Sequence, residues 1–304
     1  MCWRQSIRPN CWRPWANELD SALTIGELLH RDAVRLRAAL QLDVRTSAME
    51  ARLLLAAACG VEPVWLLAHD RDLPHSGQLA TYLATLERRL SGAPMAYILG
   101  EREFFGLMLR VTPEVLIPRP DTELLVELAL ARLPQRGGCR VIDLGTGSGA
   151  VALALAHTRP DADVLGVDRS EAALAVAADN ARRLGMNNVT LLCSDWWQSV
   201  PAGRFELVVS NPPYIAAGDR HLGQGDVRFE PLQALVGGRD GLDDLRRIVP
   251  DACMRLTPGG WLLLEHGWDQ AAAVRSLMAA AGLKQIESCA DLGGNERVTL
   301  GQAG

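Results

Sequence analysis

Asn211, Pro212, Pro213 and Tyr214 stand in a row directly after an apolar run, Phe205-Glu206-Leu207-Val208-Val209-Ser210. Each proline fixes its own φ and restricts the residue before it, so Asn211 is held extended with its carboxamide turned outward. A planar NH2 group fits such a place. One hydrogen goes to the Asn211 side-chain oxygen, the other to the Pro212 carbonyl, and the Tyr214 ring stacks on the plane. The nitrogen lone pair is then aimed at a methyl donor. The tetrapeptide by itself specifies only a planar amino or amide nitrogen, so adenine, cytosine, guanine and glutamine side chains all qualify. A proline-stiffened turn without chemistry is the plain alternative, and the location of the tetrapeptide at a strand end argues against it.

A second loop, Asp143-Leu144-Gly145-Thr146-Gly147-Ser148-Gly149, enters a helix rich in Ala and Leu. Its glycines let the backbone turn sharply and approach a ligand closely. The pattern D-x-G-x-G-x-G differs from the dinucleotide form G-x-G-x-x-G and is the form associated with S-adenosylmethionine sites. The next strand ends at Asp168, where a carboxylate can accept both hydroxyls of a ribose; capping of the following helix is the plainer role. The strand after that runs into Ser194-Asp195-Trp196-Trp197, with Trp196 the expected adenine contact, Asp195 a weaker second and Trp197 a core residue. His30, His69, His75, His157 and His221 show no metal-ligand spacing. No metal and no general base are expected, so turnover should be flat across neutral pH and survive a chelator.

These loops need a frame in which strand ends converge. From Cys139 onward strands and helices alternate: strands at 139–144, 162–167, 189–193, 205–210 and 261–265, with helices at 150–158, 171–184, about 240–256 and 269–281. Two closing strands follow at 284–289 and 297–300. Such alternation predicts an α/β domain, a mostly parallel sheet covered on both faces, with ligands beyond the carboxyl ends of the strands.

The preceding part reads as helical. Thr24 with Glu27, and Ser47 with Glu50, have capping-box spacing ahead of leucine-rich runs. A short helix is expected over 63–69 and another over 76–90, closed by Gly92. Between 103 and 117 the period falls to two, which predicts a β-hairpin linker, and a helix is expected over 121–133. The division expected is an extension at 1–20, a helical substrate-docking domain at 21–100, a linker at 101–120 and the catalytic domain at 121–304.

With 304 residues, 48% hydrophobic and 22% charged, the chain is an ordinary globular mixture without a membrane-spanning run. A formal charge of −5 supplies no general attraction to phosphate backbones. Seven cysteines, scattered and without C-x-x-C, fit neither a disulfide framework nor a zinc site, so a reducing, cytoplasmic setting is expected.

Taken in order, Gly92-Ala93-Pro94, Tyr97 to Gly100, Leu116 to Glu123, Asp143 to Gly149, Asn211 to Ile215, Phe229-Glu230-Pro231, Ala234-Leu235, Gly237 to Leu242 and Asp291 to Gly294 make the chain resemble the peptide chain release factor glutamine methyltransferases. The resemblance runs from about Thr24 to Leu300. It implies an N-terminal helical domain, a β-hairpin hinge and a Rossmann-like seven-stranded S-adenosylmethionine methyltransferase domain. It also implies methylation of the Gly-Gly-Gln glutamine of class I release factors 1 and 2; a monomer with no direct nucleic-acid or membrane contact is expected. Carried over by position, Gly145, Thr146, Gly147, Ser148, Gly149, Asp168, Trp196 and Asn211 would touch the cofactor. Asn211, Pro212, Pro213 and Tyr214 would hold the glutamine, with Asn211, Pro212 and Tyr214 as the catalytic set. A ribosomal protein or a nucleic-acid amino group is the alternative substrate. Residues 1–20 have no counterpart, and Glu265-His266-Gly267 stands where the family has Glu-Ile-Gly; His266 is expected to pack rather than catalyse.

Overall fold

The computed structural model describes residues 23–135 and 137–304, so the extension expected over 1–20 lies outside the described residues. The chain divides into two compact units between Leu99 and Gly100. The first is all helical: α1 (Ile25–Leu40), α2 (Val44–Cys59), α3 (Trp65–Ala68), α4 (Ser76–Leu90) and α5 (Met95–Leu99). Their leucine faces meet in one core that includes Leu28, Leu36, Leu54, Leu55, Leu66 and Leu86. Burying each such side chain stabilises the fold by about 1.5–3 kcal/mol.

The capping box at Thr24 and Glu27 is present: the Glu27 amide donates to Thr24 Oγ1 and the Thr24 amide to Glu27 Oε2. The one expected at Ser47 and Glu50 is not. Helix α2 starts four residues earlier, where the Asp43 carboxylate accepts from the amides of Arg45 and Thr46. A carboxylate at the positive end of the helix takes the capping role. Ser47 then sits inside the first turns, donating to the Val44 carbonyl, and Glu50 turns inward to Arg89.

The second unit begins with a hairpin of β1 (Glu101–Phe104) and β2 (Leu107–Arg110). Expected as a linker, it is built into the unit: Phe104, Leu107 and Leu109 join the core around helix α6 (Glu123–Arg132). The strand ends at Arg110, with one further bond from the Val111 amide to the Gly100 carbonyl at 3.0 Å, and the residues after it form no strand, with Val111, Val115 and Ile117 buried. Helix α6 is preceded by a 3-10 turn over Pro120–Thr122, a proline-led start that fits the missing N–H.

The remaining elements are β3 (Arg140–Leu144), α7 (Ala150–Thr158), β4 (Asp163–Asp168), α8 (Glu171–Arg183), β5 (Val189–Cys193), β6 (Phe205–Ser210), α9 (Asp243–Arg255), β7 (Leu256–Glu265), α10 (Ala271–Ala280), β8 (Lys284–Ala290) and β9 (Glu296–Gln302). The seven strands of the main sheet lie in the order β5-β4-β3-β6-β7-β9-β8. The first five are parallel, and β9 runs antiparallel to both β7 and β8. One face packs on α6, α7 and the hairpin, the other on α9 and α10. The chain order reverses at β3, the place where the loops after β3 and β6 open side by side and a ligand crevice forms.

Candidate active site

Gly145, Gly147 and Gly149 all have positive φ, at 77°, 56° and 85°. The first two line a cleft with Asp168, Asp195, Trp196, Asn211 and Pro213. Gly149 is instead the N-cap of α7, and a Cβ there would stand 2.9 Å from Leu153. Thr146 and Ser148 are buried and line a smaller recess beside the same loop. The Thr146 hydroxyl donates to Asp143 Oδ2 at 2.7 Å, and the Ala152 amide donates to the same oxygen at 3.2 Å. Burial pushes the Asp143 carboxyl up to about 7, against the pull of those two donors.

Asp168 does not cap the following helix, a role that Ser170 takes by accepting from the Ala173 amide; it braces the loops after β3 and β4. Its Oδ2 accepts from the Gly147 amide and its Oδ1 from the Ser170 amide, each at 2.9 Å. Each oxygen keeps a lone pair for a ligand hydroxyl in the cleft. Trp196 sits at φ 49°, nearly buried, with its ring 3.3 Å from where a Gly145 Cβ would be and its Nε1 donating to Asp244. Trp197 is buried in the core and donates to the Ile248 carbonyl. Asp195 accepts from Arg247 through Oδ2, while its buried Oδ1 has no partner among the described residues and its side chain lines the cleft. A free buried acceptor beside an aromatic plane suits an exocyclic amine. The glycine turn, a carboxylate with lone pairs to spare, an indole and this acceptor together fit an adenosyl group.

Asn211 lines the recess beside the glycine loop and two larger cavities. The larger two are the cleft just described and a second one with Leu116, Arg119, Pro212, Tyr214, Ile215 and Val227. Its Nδ2 donates to Thr122 Oγ1 at 3.1 Å, which leaves the side-chain oxygen available. Pro213 lines the first cavity, Pro212 and Tyr214 the second. The Tyr214 hydroxyl donates to Glu265 Oε1 at 3.3 Å. Arg119 pairs with buried Glu230, whose other oxygen accepts the Ile117 amide at 3.1 Å. That pair joins the segment before α6 to the 3-10 turns of residues 225–234 around the second cavity.

Thr122, Glu230 and Glu265 enter the sequence reading only as letters of longer motifs, because nothing local assigns them partners. Glu265 is 1% exposed, and burial pushes its carboxyl up to about 7. His266 packs as expected: it is fully buried, with Nε2 2.7 Å from the Thr299 hydroxyl and Nδ1 2.9 Å from the Gly267 carbonyl. Burial lowers its pKa. No group of three or more His, Cys, Asp or Glu among the described residues could hold a metal ion, and no helix there is long and apolar enough to cross a membrane.

A seven-stranded sheet with this order, a glycine turn after β3 and a carboxylate after β4 define a Rossmann-like methyltransferase. Residues 121–225 match the methyltransferase small domain, and residues 21–100 match the PrmC N-terminal domain. The release factor glutamine methyltransferase of Bordetella pertussis is 53% identical over 83% of this chain and 94% of its own length. That of Escherichia coli K12 is 48% identical over 83% of this chain and 91% of its own. The chain belongs to the release factor glutamine methyltransferase family. Among solved structures, a methyltransferase from Pyrococcus furiosus superposes with a TM-score of 0.51 at 20% identity, covering 66% of this chain and 90% of its own. The Thermus thermophilus 16S rRNA N2 G1207 methyltransferase gives 0.51 at 24% identity, covering 67% and 50%. Both likenesses concern the fold.

Proposed function

We propose that the protein methylates the side-chain amide of the glutamine in the Gly-Gly-Gln motif of class I peptide chain release factors 1 and 2. One observation carries the reading: Asn211 lines both cavities, with its Nδ2 committed to Thr122 and its oxygen left to accept. S-adenosylmethionine, held by Gly145, Gly147, Asp168, Asp195, Trp196 and Asn211, supplies a methyl group on a sulfonium. Thr146, Ser148 and Gly149 shape the turn from behind. The glutamine amide enters the second cavity and donates one hydrogen to Asn211 Oδ1 and the other to the Pro212 carbonyl, beside Pro213 and the Tyr214 ring. As the amide nitrogen takes the methyl group it loses its resonance with the carbonyl and its N–H groups become more acidic, so the bonds to those two acceptors strengthen in the transition state. The N–C bond forms as the C–S bond breaks, and the displaced amide proton leaves to water.

A glutamine reaches a strand-end pocket most readily from a loop flanked by glycines, which allow close backbone approach. The acidic chain suits a folded protein partner better than a nucleic-acid strand, and a cytoplasmic monomer suffices. The test is tandem mass spectrometry of the recombinant enzyme with labelled donor and either intact release factor or DNA. One methyl group on the Gly-Gly-Gln glutamine is the expected product. Methyl on a base, or on another residue or a ribosomal protein in its stead, overturns the assignment.

A further inference from the structure

Three polar side chains form a path from the reacting pocket into the core at the ends of β6 and β7. Asn211 Nδ2 donates to Thr122 Oγ1. The Thr122 hydroxyl in turn faces the Glu265 carboxyl, to which the Tyr214 hydroxyl also donates. Parallel pairing of Ser210 with Leu264 is what brings Asn211 and Glu265 to neighbouring strand ends. A carboxyl this deeply buried costs folding free energy unless it is well paired. Yet Glu265 Oε2 has no hydrogen-bond partner among the described residues, and Arg297 forms its ion pairs with Asp121 and Asp291 instead.

A threonine hydroxyl has one proton. If that proton is committed to Glu265, the oxygen can only accept from Asn211, and the carboxamide is locked with nitrogen inward and oxygen toward the acceptor. Without the carboxylate the proton is free to turn to Asn211 Oδ1. The carboxamide then flips, and its NH2 meets the NH2 of the incoming amide.

We infer that Glu265 is a positioning residue for methyl transfer: through Thr122 it sets which end of the Asn211 carboxamide faces the substrate, and through the Tyr214 hydroxyl it holds that ring in place. The inference rests on the reading of Asn211 as the acceptor of the substrate amide. Protonation of Glu265 puts a proton in competition with the two hydroxyls for its oxygens. The groups facing it are Tyr214, Arg297 from β9 and Asp121 from the turn before α6; Arg297 favours the carboxylate, Asp121 opposes it, and burial outweighs both. Turnover should therefore fall on the acid side of about 7 rather than stay flat as the sequence alone suggests.

The experiment measures kcat at saturating donor and release factor across neutral pH for the wild type and for Glu265→Gln, Thr122→Val, Thr122→Ser and Asn211→Ala. Melting temperature and donor affinity are recorded for each. Glu265→Gln is expected to lose about 10- to 100-fold in kcat with donor affinity unchanged, and to lose the acid limb. Thr122→Val should lose a similar factor, Thr122→Ser should restore most of it, and the double variant Thr122→Val/Glu265→Gln should be no worse than either single. Should Glu265→Gln fail to fold, the two Thr122 variants, which leave the carboxyl in place, decide. Folded Glu265→Gln or Thr122→Val with wild-type kcat, or full additivity, overturns the inference while a loss of about 10²–10³ in Asn211→Ala leaves the underlying reading intact. Normal turnover in Asn211→Ala removes that reading and the inference with it.

Discussion

In the helical unit, Asp32 and Glu50 are sealed from solvent and surrounded by arginines; in the sheet unit, Asp143 and Glu265 are sealed just as fully and make no ion pair among the described residues. Asp32 takes the guanidinium groups of Arg31 and Arg35 and the Tyr82 hydroxyl at about 3 Å, and Glu50 takes Arg89 through two bonds of 2.8 and 3.0 Å. Asp143 and Glu265 are faced mainly by hydroxyls and a backbone amide, and both are pushed up to about 7 by burial. A fully paired buried carboxylate fastens helices to one another. One that is poised near neutrality and tied to hydroxyls serves orientation instead, and both such groups lie at the carboxyl ends of strands, where the two cavities open.

The sharpest way to break this contrast is to take the cation from Glu50. Arg89→Met leaves an uncompensated buried carboxylate and is expected to cost about 3–5 kcal/mol of stability, read by urea unfolding. Donor affinity of the folded fraction should not change, because the cleft residues all belong to the other unit. A loss below about 1 kcal/mol, the range of an exposed pair, would erase the distinction.

On the site's side, Asp168→Ala removes a charge-assisted contact to the ribose, worth about 1.5–3 kcal/mol, so affinity for S-adenosylmethionine should weaken roughly 10- to 100-fold by calorimetry. The same change also frees the amides of Gly147 and Ser170. A folded variant with an unchanged dissociation constant would reduce Asp168 to a turn-stabilising residue.

The mildest effect concerns Asp143. Because its folded pKa is raised from 3.8 to about 7, the folded state holds a proton that the unfolded chain has already lost, so stability from this group declines as pH rises through that window and levels off above it. Asp143→Asn keeps an acceptor for Thr146 and removes at most one proton from the linkage, about 1.4 kcal/mol per pH unit of slope. Melting temperature followed from acid to neutral pH should fall less steeply in the variant; identical slopes would mean that Asp143 is ionised throughout.

Features set by neighbouring residues are legible in the amino-acid sequence alone: the Thr24 cap, the glycine turn after β3, and the alternation that calls for a mostly parallel sheet. Each depends on φ restrictions, caps or a period of a few residues, which the chain encodes locally. The start of α2 is not legible in this way because two capping signals lie four residues apart, and only the folded helix shows Asp43 in use while Glu50 is claimed by Arg89. The role of the hairpin is hidden for another reason: period two reveals a strand pair but not what the pair packs against. The Thr122, Asn211, Tyr214 and Glu265 arrangement has no local signature at all. Asn211 and Thr122 are 89 positions apart, and their meeting depends on the parallel register of β6 and β7 and on where the turn before α6 comes to rest. Local stereochemistry therefore determined which side chains are presented at the strand ends. The packing of distant elements decided which atom of each side chain is left free to react, since a hydrogen-bond partner is chosen by proximity in space and not along the chain.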